Sequence, residues 1–366
     1  MRILLASAHP YLPEIRGGAQ MSTHELTRGL SAAGHDVGVF AGFMGHGVQS
    51  LWGRFRLKIA RSSIYPSTYC DYPVLRAWHP WKVAKEARDR FRPDVVVAQS
   101  GLPVKVTRAF KQIGVPTVLY FRNVEDDDLG GTVSGSADAY IANSRFTSDY
   151  FESVSGVKST VILPTFDAQR YRTDTSRRFV TFINPHPHKG RDIAFALMRR
   201  CPDVEFLIVR AWSLDPDDEA QLEALDRECA NVTVREPTSD MRTIYAQTRI
   251  VLAPSQWQEA YGRIATEGHF SGIPTLASNI GGLPEAVGPG GILVAPDAPV
   301  EAWEAALLDM LNDPAHYDAL SQAALQYSER PELDRSAQLR ALVSVCTAAT
   351  GQCREPAQAH SAEPAI

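Results

Sequence analysis

Short aliphatic runs alternate with longer amphipathic stretches along this 366-residue chain, and the alternation starts twice. In the first half the runs are Ile3–Ala6, Val37–Phe40, Val95–Ala98, Thr117–Phe121 and Ala139–Ala142, most of them bounded by Gly, Pro or Asp. Runs that are apolar on both faces and separated by amphipathic segments predict a parallel sheet covered by helices on both sides. After Pro164 the pattern begins again with Phe179–Ile183, Val204–Val209, Val232–Val234, Ile250–Ala253, Thr275–Ala277 and Gly291–Val294. Between the two sets, Asp167–Arg178 is polar and poor in aliphatic residues, as a linker would be. The expectation is an α/β chain of two doubly wound domains, residues 1–165 and 166–330, facing across a cleft lined by the carboxyl ends of both sets of strands. Helices are expected at Val300–Leu311, Tyr317–Tyr327 and Leu333–Ala348, with a break at Arg330-Pro331. From Gln352 the tail is rich in Pro, Ala and Glu and has no aromatic residue, so residues 352–366 are expected to be disordered.

Composition narrows the function classes. A chain that is 44% hydrophobic and 22% charged suits a soluble globular protein, and a formal net charge of −5 argues against a dedicated nucleic-acid binder. No apolar run approaches the roughly 18–20 residues of a membrane span. The apolar start, Met1–Ala6, is too short for a secretory leader before His9-Pro10. The five cysteines are scattered, odd in number and without metal-ligand spacing, which suits reduced thiols in the cytoplasm.

The most informative segment is Glu259-Ala-Tyr-Gly-Arg-Ile-Ala-Thr-Glu267. It follows the apolar run Ile250–Ala253 through Pro254-Ser255 and leads into a helix expected from Gly262 to about Ser271. A strand feeding a helix start through a short polar loop suits an anion, because the first amides lack intrahelical partners and carry partial positive charge. A diphosphate there would have a carboxylate on each side, and carboxylates suit sugar hydroxyls. Alone, such a pair would be two solvated or capping glutamates. The segment continues, however, through Gly272-Ile273-Pro274 into a second buried strand, then into Gly281-Gly282-Leu283-Pro284-Glu285 and another helix start.

The whole run from Tyr245 to Val294 resembles the donor-binding half of the retaining glycosyltransferases of family 4, whose GT-B fold sets two Rossmann-like domains across a cleft. The resemblance implies transfer of a sugar from a nucleotide-diphosphate donor to an acceptor hydroxyl with retention of configuration, with no metal and no other cofactor. It implies that Glu267 accepts from ribose hydroxyls, that Glu259 holds sugar hydroxyls, and that amides of Tyr261, Gly262 and Arg263 receive phosphate. Gly17 and Gly18, after the first strand, stand where the family has a glycine pair facing the donor; without Cβ atoms they permit close approach. Lys189 would offset charge on the departing diphosphate. The family usually opens that loop with Gly-Arg, and here Asn184-Pro185 stands instead, leaving Arg263 or Arg210 as substitutes for the missing cation. Arg122 closes its strand where many relatives have a histidine touching the donor sugar. As a cation there it could bind an anionic acceptor or a sugar hydroxyl, or pair with the acidic run Glu125–Asp128. Asn143-Ser144-Arg145 also resembles a family feature near the interdomain hinge. In the family the last helix crosses back to the first domain, and Leu333–Ala348 is expected to do so.

Glu259, Lys189 and Arg122 are thus the expected catalytic residues, and Glu267, Tyr261, Gly262, Arg263, Gly17, Gly18 and Asn184 the expected donor contacts. The acceptor could be a sugar, a lipid-linked glycan or a small natural product. Between Arg54 and Arg92 ten basic residues face three acidic ones, interleaved with Trp52, Phe55, Trp78 and Trp81 around the segment. Such a stretch could rest on the inner face of a membrane, or be a solvated loop and helix with one tryptophan packed inward. His186 and His188 lack a third ligand and are not expected to hold a metal. A nucleotide-sugar epimerase and a catalytically silent nucleotide-sugar-binding protein of the same architecture remain as alternatives.

Overall fold

The computed structural model describes residues 1–15, 17–44 and 62–352. Two sheets organise it. The strands of the first are β1 (Arg2–Pro10), β2 (Asp36–Gly42), β3 (Tyr65–Ser67), β4 (Val74–Arg76), β5 (Val95–Gln99), β6 (Thr117–Phe121), β7 (Ala139–Ala142) and β8 (Thr160–Val161). Those of the second are β9 (Phe179–Ile183), β10 (Phe206–Val209), β11 (Val232–Arg235), β12 (Thr248–Ala253), β13 (Thr275–Ser278) and β14 (Gly291–Val294). Their spatial orders are β3-β4-β2-β1-β5-β6-β7-β8 and β11-β10-β9-β12-β13-β14. Every pairing is parallel except β3 with β4.

Each aliphatic run named above falls on one of these strands, and the reason is burial. β5, Val-Val-Val-Ala-Gln, is buried at all five positions, as a central strand covered on both faces must be. The α/β architecture expected from the pattern is therefore observed. The pattern does not show β3, β4 and β8, which are two or three residues long and too short to display a period.

The helix Arg335–Gln352 contributes Leu339, Leu342, Cys346 and Ala349 to the same apolar cluster as Ile3, Leu5, Val95 and Val118 of the first sheet. The stretch 167–178, read above as a polar linker, also does structural work. Tyr171 is buried in the second domain's cluster with Phe166 and Phe270, and its hydroxyl donates to Glu25 of the first domain (2.7 Å).

Residues 54–61 of the basic segment and residues 353–366 of the tail lie outside the described residues. Within the rest of that segment Arg76 is buried against Glu14, Arg90 pairs with Glu86 and Arg88 with Asp89. Trp81 packs on the core of the first domain and Trp78 stacks on Phe43 (4.8 Å between ring centroids). No helix among the described residues is long and apolar enough to cross a membrane.

Because Leu342 is fully buried between helix and sheet, Leu342→Ala should destabilise the protein by about 2–5 kcal/mol in chemical denaturation. A loss well under 1 kcal/mol would show that the last helix is only loosely attached.

Candidate active site

The carboxyl ends of both sheets open into one cavity of about 830 Å³. All ten residues singled out from the sequence line it: Gly17, Gly18 and Arg122 from the first domain, and Asn184, Lys189, Glu259, Tyr261, Gly262, Arg263 and Glu267 from the second. Topology alone brings them together, since they come from loops after β1, β6, β9 and β12.

The loop 254–262 is held from two sides. Gly281 and Gly282 lie directly under it: a Cβ on Gly281 would stand 2.4 Å from the carbonyl oxygen of Glu259, and one on Gly282 2.5 Å from that of Ala260. From the first domain, the hydroxyls of Ser144 (2.5 Å) and Thr147 (3.1 Å) donate to the carbonyl of Ala260. The backbone amide of Arg145 donates to Glu285 (2.7 Å). This gives the Asn143-Ser144-Arg145 segment its role, which is to dock the first domain on the Glu259 loop. Gly262 then turns the chain with φ of +101° into the helix Arg263–His269, a backbone region where side chains are strained.

Glu259 sits in the cavity with Lys189. Lys189 Nζ donates to Glu259 Oε1 at 2.5 Å, and Ser255 Oγ donates to the same oxygen at 2.8 Å. The ammonium also lies 5.0 Å from the Trp212 ring and 5.3 Å from the Trp257 ring. Neither tryptophan was singled out from the sequence, because each stands alone on a loop with no periodic or motif signal. His186 and His188 join the same aromatic group, 4.9 Å apart between centroids. Among the described residues no group of three or more His, Cys, Asp or Glu is arranged to hold a metal ion.

Asn184 accounts for the departure in the Lys189 loop. Its φ is +70°, the left-handed conformation that glycine adopts freely and asparagine tolerates best among other residues. Its side-chain oxygen accepts from the amide of Trp212 (3.3 Å). Both substitutes named above for the cation absent at Pro185 line the cavity but carry carboxylate partners of their own. Arg210 is committed to Glu219 and Glu236. Arg263 is committed more deeply still.

The Arg263 side chain leaves the second domain and enters the first. Its guanidinium donates to Ser22 (2.7 Å) and Glu25 (3.2 Å) on the helix Gly18–Ala32, to the Tyr171 hydroxyl (2.9 Å), and to Glu267 Oε1 (3.1 Å). It lies 4.2 Å from the centroid of the Phe166 ring. Burial opposes its charge, but Tyr171, Glu25 and Glu267 together more than offset this and raise its pKa. Glu267 receives a second donor from Tyr245 (3.0 Å); burial nevertheless outweighs Arg263 and holds its carboxyl above the ordinary glutamate range. The Tyr261 side chain is likewise turned into the protein, its hydroxyl held by Thr266 and Arg330 (2.9 Å each). For a ligand, only the backbone of Tyr261 is left.

Arg122 does not pair with the acidic run that follows it. It lies on the Tyr120 ring, and its guanidinium donates to Gln99. That run does, however, bring Glu125 into the cavity, near enough to Lys189 and Glu259 to feel both charges, with a pKa raised chiefly by burial.

Two family models match the chain: "Glycosyltransferase Family 4" over residues 16–170 and "Glycosyl transferases group 1" over residues 191–313. The chain belongs to glycosyltransferase family 4. A D-inositol 3-phosphate glycosyltransferase of Segniliparus rotundus is 31% identical over 169 residues, which span 43% of this chain and 37% of that protein. A glycogen synthase of Mycobacterium tuberculosis is 28% identical across 89% of this chain and 90% of its own length. Among solved structures, an Anabaena protein in complex with UDP and glucose superposes with a TM-score of 0.75 at 18% identity, covering 95% of this chain and 99% of that one. Sucrose-phosphate synthase from Thermosynechococcus elongatus gives 0.73 at 16% identity, covering 94% and 97%. At such identities the structures speak for the fold, which is GT-B. The family 4 chain spans between about a fifth and a half of the inositol-phosphate relatives it matches, 22% of the Corynebacterium glutamicum protein, 37% of the Segniliparus protein and 50% of its Rhodococcus opacus counterpart.

Removing Arg263 strands two buried carboxylates. Arg263→Ala should therefore destabilise the family 4 chain by about 3–5 kcal/mol in urea unfolding at neutral pH. Adding Glu25→Gln in that background should recover part of the loss, and a further loss instead would show that Glu25 does not depend on Arg263.

His269, on the same short helix, is fully buried, and burial pushes its pKa down from 6.5 to about 3. Its native ring is neutral while the unfolded ring protonates, so its contribution is present above pH 6.5 and lost as pH falls towards 3. Between pH 6 and 4, wild-type stability should fall more steeply than that of His269→Gln by up to about 1.4 kcal/mol per pH unit. Parallel curves would place a charged imidazole in the folded state.

Proposed function

We propose that this protein transfers a sugar from a nucleotide-diphosphate donor to an acceptor hydroxyl, with retention of anomeric configuration and without a metal ion. The observation that carries this reading is the Lys189–Glu259 pair, a cation and a carboxylate in contact inside the interdomain cavity. When the sugar–oxygen bond breaks, negative charge grows on the leaving diphosphate. A fixed ammonium beside it stabilises that charge far better inside a closed cleft than in water. Glu259 offers acceptor oxygens to sugar hydroxyls. Glu267 already receives two donors, but a carboxylate has about four acceptor sites, so ribose hydroxyls can bind it without displacing Arg263. In this reading Glu125, which lines the same cavity from the first domain, serves the acceptor. The acceptor belongs to the class of sugars, lipid-linked glycans or small hydroxylated molecules. A cytoplasmic setting, with residues 54–92 against the inner face of a membrane when the acceptor is lipid-linked, belongs to the same reading.

The test is incubation with labelled nucleotide sugars, beginning with UDP-glucose because a structural neighbour was crystallised with UDP and glucose. D-inositol 3-phosphate belongs among the acceptors, since it is named in relatives. Transfer or slow hydrolysis supports the reading, and NMR of the product anomer checks retention. Lys189→Met should lower kcat about a hundredfold or more, and excess EDTA should leave the rate unchanged. Loss of activity in EDTA with recovery on adding Mn²⁺ would remove the metal-independent mechanism.

A further inference from the structure

Arg122 is a half-buried cation held without a counter-ion among the described residues. Its guanidinium lies on the Tyr120 ring, 3.8 Å from the centroid. Nε (3.1 Å) and Nη2 (2.9 Å) both donate to one acceptor, Gln99 Oε1. Gln99 is itself oriented: its amide nitrogen donates to Thr23 Oγ1 (2.8 Å), whose hydroxyl donates to the carbonyl of Ala19 (2.8 Å). The partner of the charge is therefore a neutral amide, and Nη1 has no hydrogen-bond acceptor among the described residues. Burial lowers the Arg122 pKa, Tyr120 opposes this, and the like charge of Arg263 adds to it.

Three other cavity cations are treated differently. Lys189 has Glu259, Arg210 has Glu219 and Glu236, and Arg263 has Glu25 and Glu267. A second unmet group adjoins Arg122. Asn143 lines the same cavity and is 5% exposed, and its amide nitrogen donates to the carbonyl of Arg122 (3.4 Å). Its amide oxygen has no hydrogen-bond partner. An unpaired cation beside an unpaired acceptor is complementary to a ligand carrying an anionic oxygen and a nearby hydroxyl.

We propose that Arg122 and Asn143 form an anion subsite on the first-domain wall of the cavity, which takes a carboxylate or phosphate carried by one of the two sugar substrates, distinct from the donor diphosphate served by Lys189. The proposal rests on the transferase reading and narrows it. Guanidinium binds both anions through paired, charge-assisted hydrogen bonds. A neutral hexose at this place would shield the charge from water and leave it unanswered. A uronic-acid sugar would bring the anion with the donor; a sugar monophosphate would bring it with the acceptor.

Calorimetric titration of wild type, R122Q and R122K separates these sources. The ligands are nucleoside diphosphates, nucleotide hexoses, nucleotide hexuronates, and sugar monophosphates added to the nucleoside diphosphate complex. The wild type should prefer an anionic ligand at least tenfold over its neutral counterpart, through either the hexuronate or the monophosphate. R122Q should abolish that preference and R122K should retain part of it, while affinity for the bare nucleoside diphosphate changes less than twofold. R122Q should also melt no lower than wild type, because it removes a charge that no carboxylate offsets among the described residues. Absence of any anionic preference, or an equal loss of nucleoside diphosphate affinity in R122Q, would overturn the subsite. Failure of the wild type to bind any nucleoside diphosphate would instead sink the transferase reading, and the subsite with it.

Discussion

The insertion of Arg263 between the two domains is the interaction on which the site depends. Its side chain is 10% exposed and Glu25 is 1% exposed, and ions that deep are tolerated only when their hydrogen-bonding capacity is met. Here it is met from both domains: Ser22 and Glu25 on one side, Glu267 and Tyr171 on the other. The clasp fixes the helix Gly18–Ala32 against the second domain. Gly17 and Gly18 face this junction, although the second domain alone would leave room for a Cβ at either: on Gly17 the tight neighbour is Gln20 Oε1 of the same loop, 2.9 Å away. A Cβ on Gly18 would lie 3.4 Å from the Arg263 side chain, and one on Gly17 3.8 Å from the Trp212 indole nitrogen. Separating the domains would hydrate Arg263 and Glu25 together, so that opening exchanges one satisfied set of hydrogen bonds for another. That suits a cleft which must admit and release substrates.

Much of the fold was legible because parallel strands buried on both faces write themselves as aliphatic runs. Much of the cavity lining was legible because Glu259, Glu267 and Gly281-Gly282 stand in one long run, Tyr245–Val294, and because Gly17-Gly18 and Lys189 stand in loops that follow readable strands. What the sequence concealed were partnerships across the chain. Arg263 and Glu267, four residues apart on a helix, are the kind of pair a helical reading can anticipate. Nothing near Arg263 in sequence announces Glu25, which lies 238 residues earlier. Tyr171 was hidden for a related reason: one aromatic residue in a polar stretch has no period, yet its ring joins the core and its hydroxyl joins the clasp. Trp212, Trp257 and Gln99 likewise gain meaning only from the neighbours that the topology supplies.

The two expected catalytic cations, Lys189 and Arg122, differ in what surrounds them, and the difference decides what each can do. Paired with Glu259, Lys189 presents a dipole, whose field falls off faster with distance than that of a free charge. Arg122, answered only by an amide and an aromatic face, presents a full charge in a weakly polarisable setting. Lys189 engages strongly only when the ligand is close enough to compete with Glu259.

That competition gives the Lys189–Glu259 contact a purpose beyond stability. Each group satisfies the other, so that neither ion stands unpaired in the cavity. When a nucleotide sugar binds in the proposed way, phosphate oxygens take over the ammonium while sugar hydroxyls take over the carboxylate. The number of charge-assisted hydrogen bonds is conserved. Both exchanges have to happen together, because either alone strands one member of the pair. A nucleoside diphosphate without its sugar frees Glu259 and gives it nothing. A sugar without its diphosphate does the same to Lys189. The pair thus favours the intact donor over either fragment, and once the sugar has left, recapture of Lys189 by Glu259 weakens the hold on the product diphosphate.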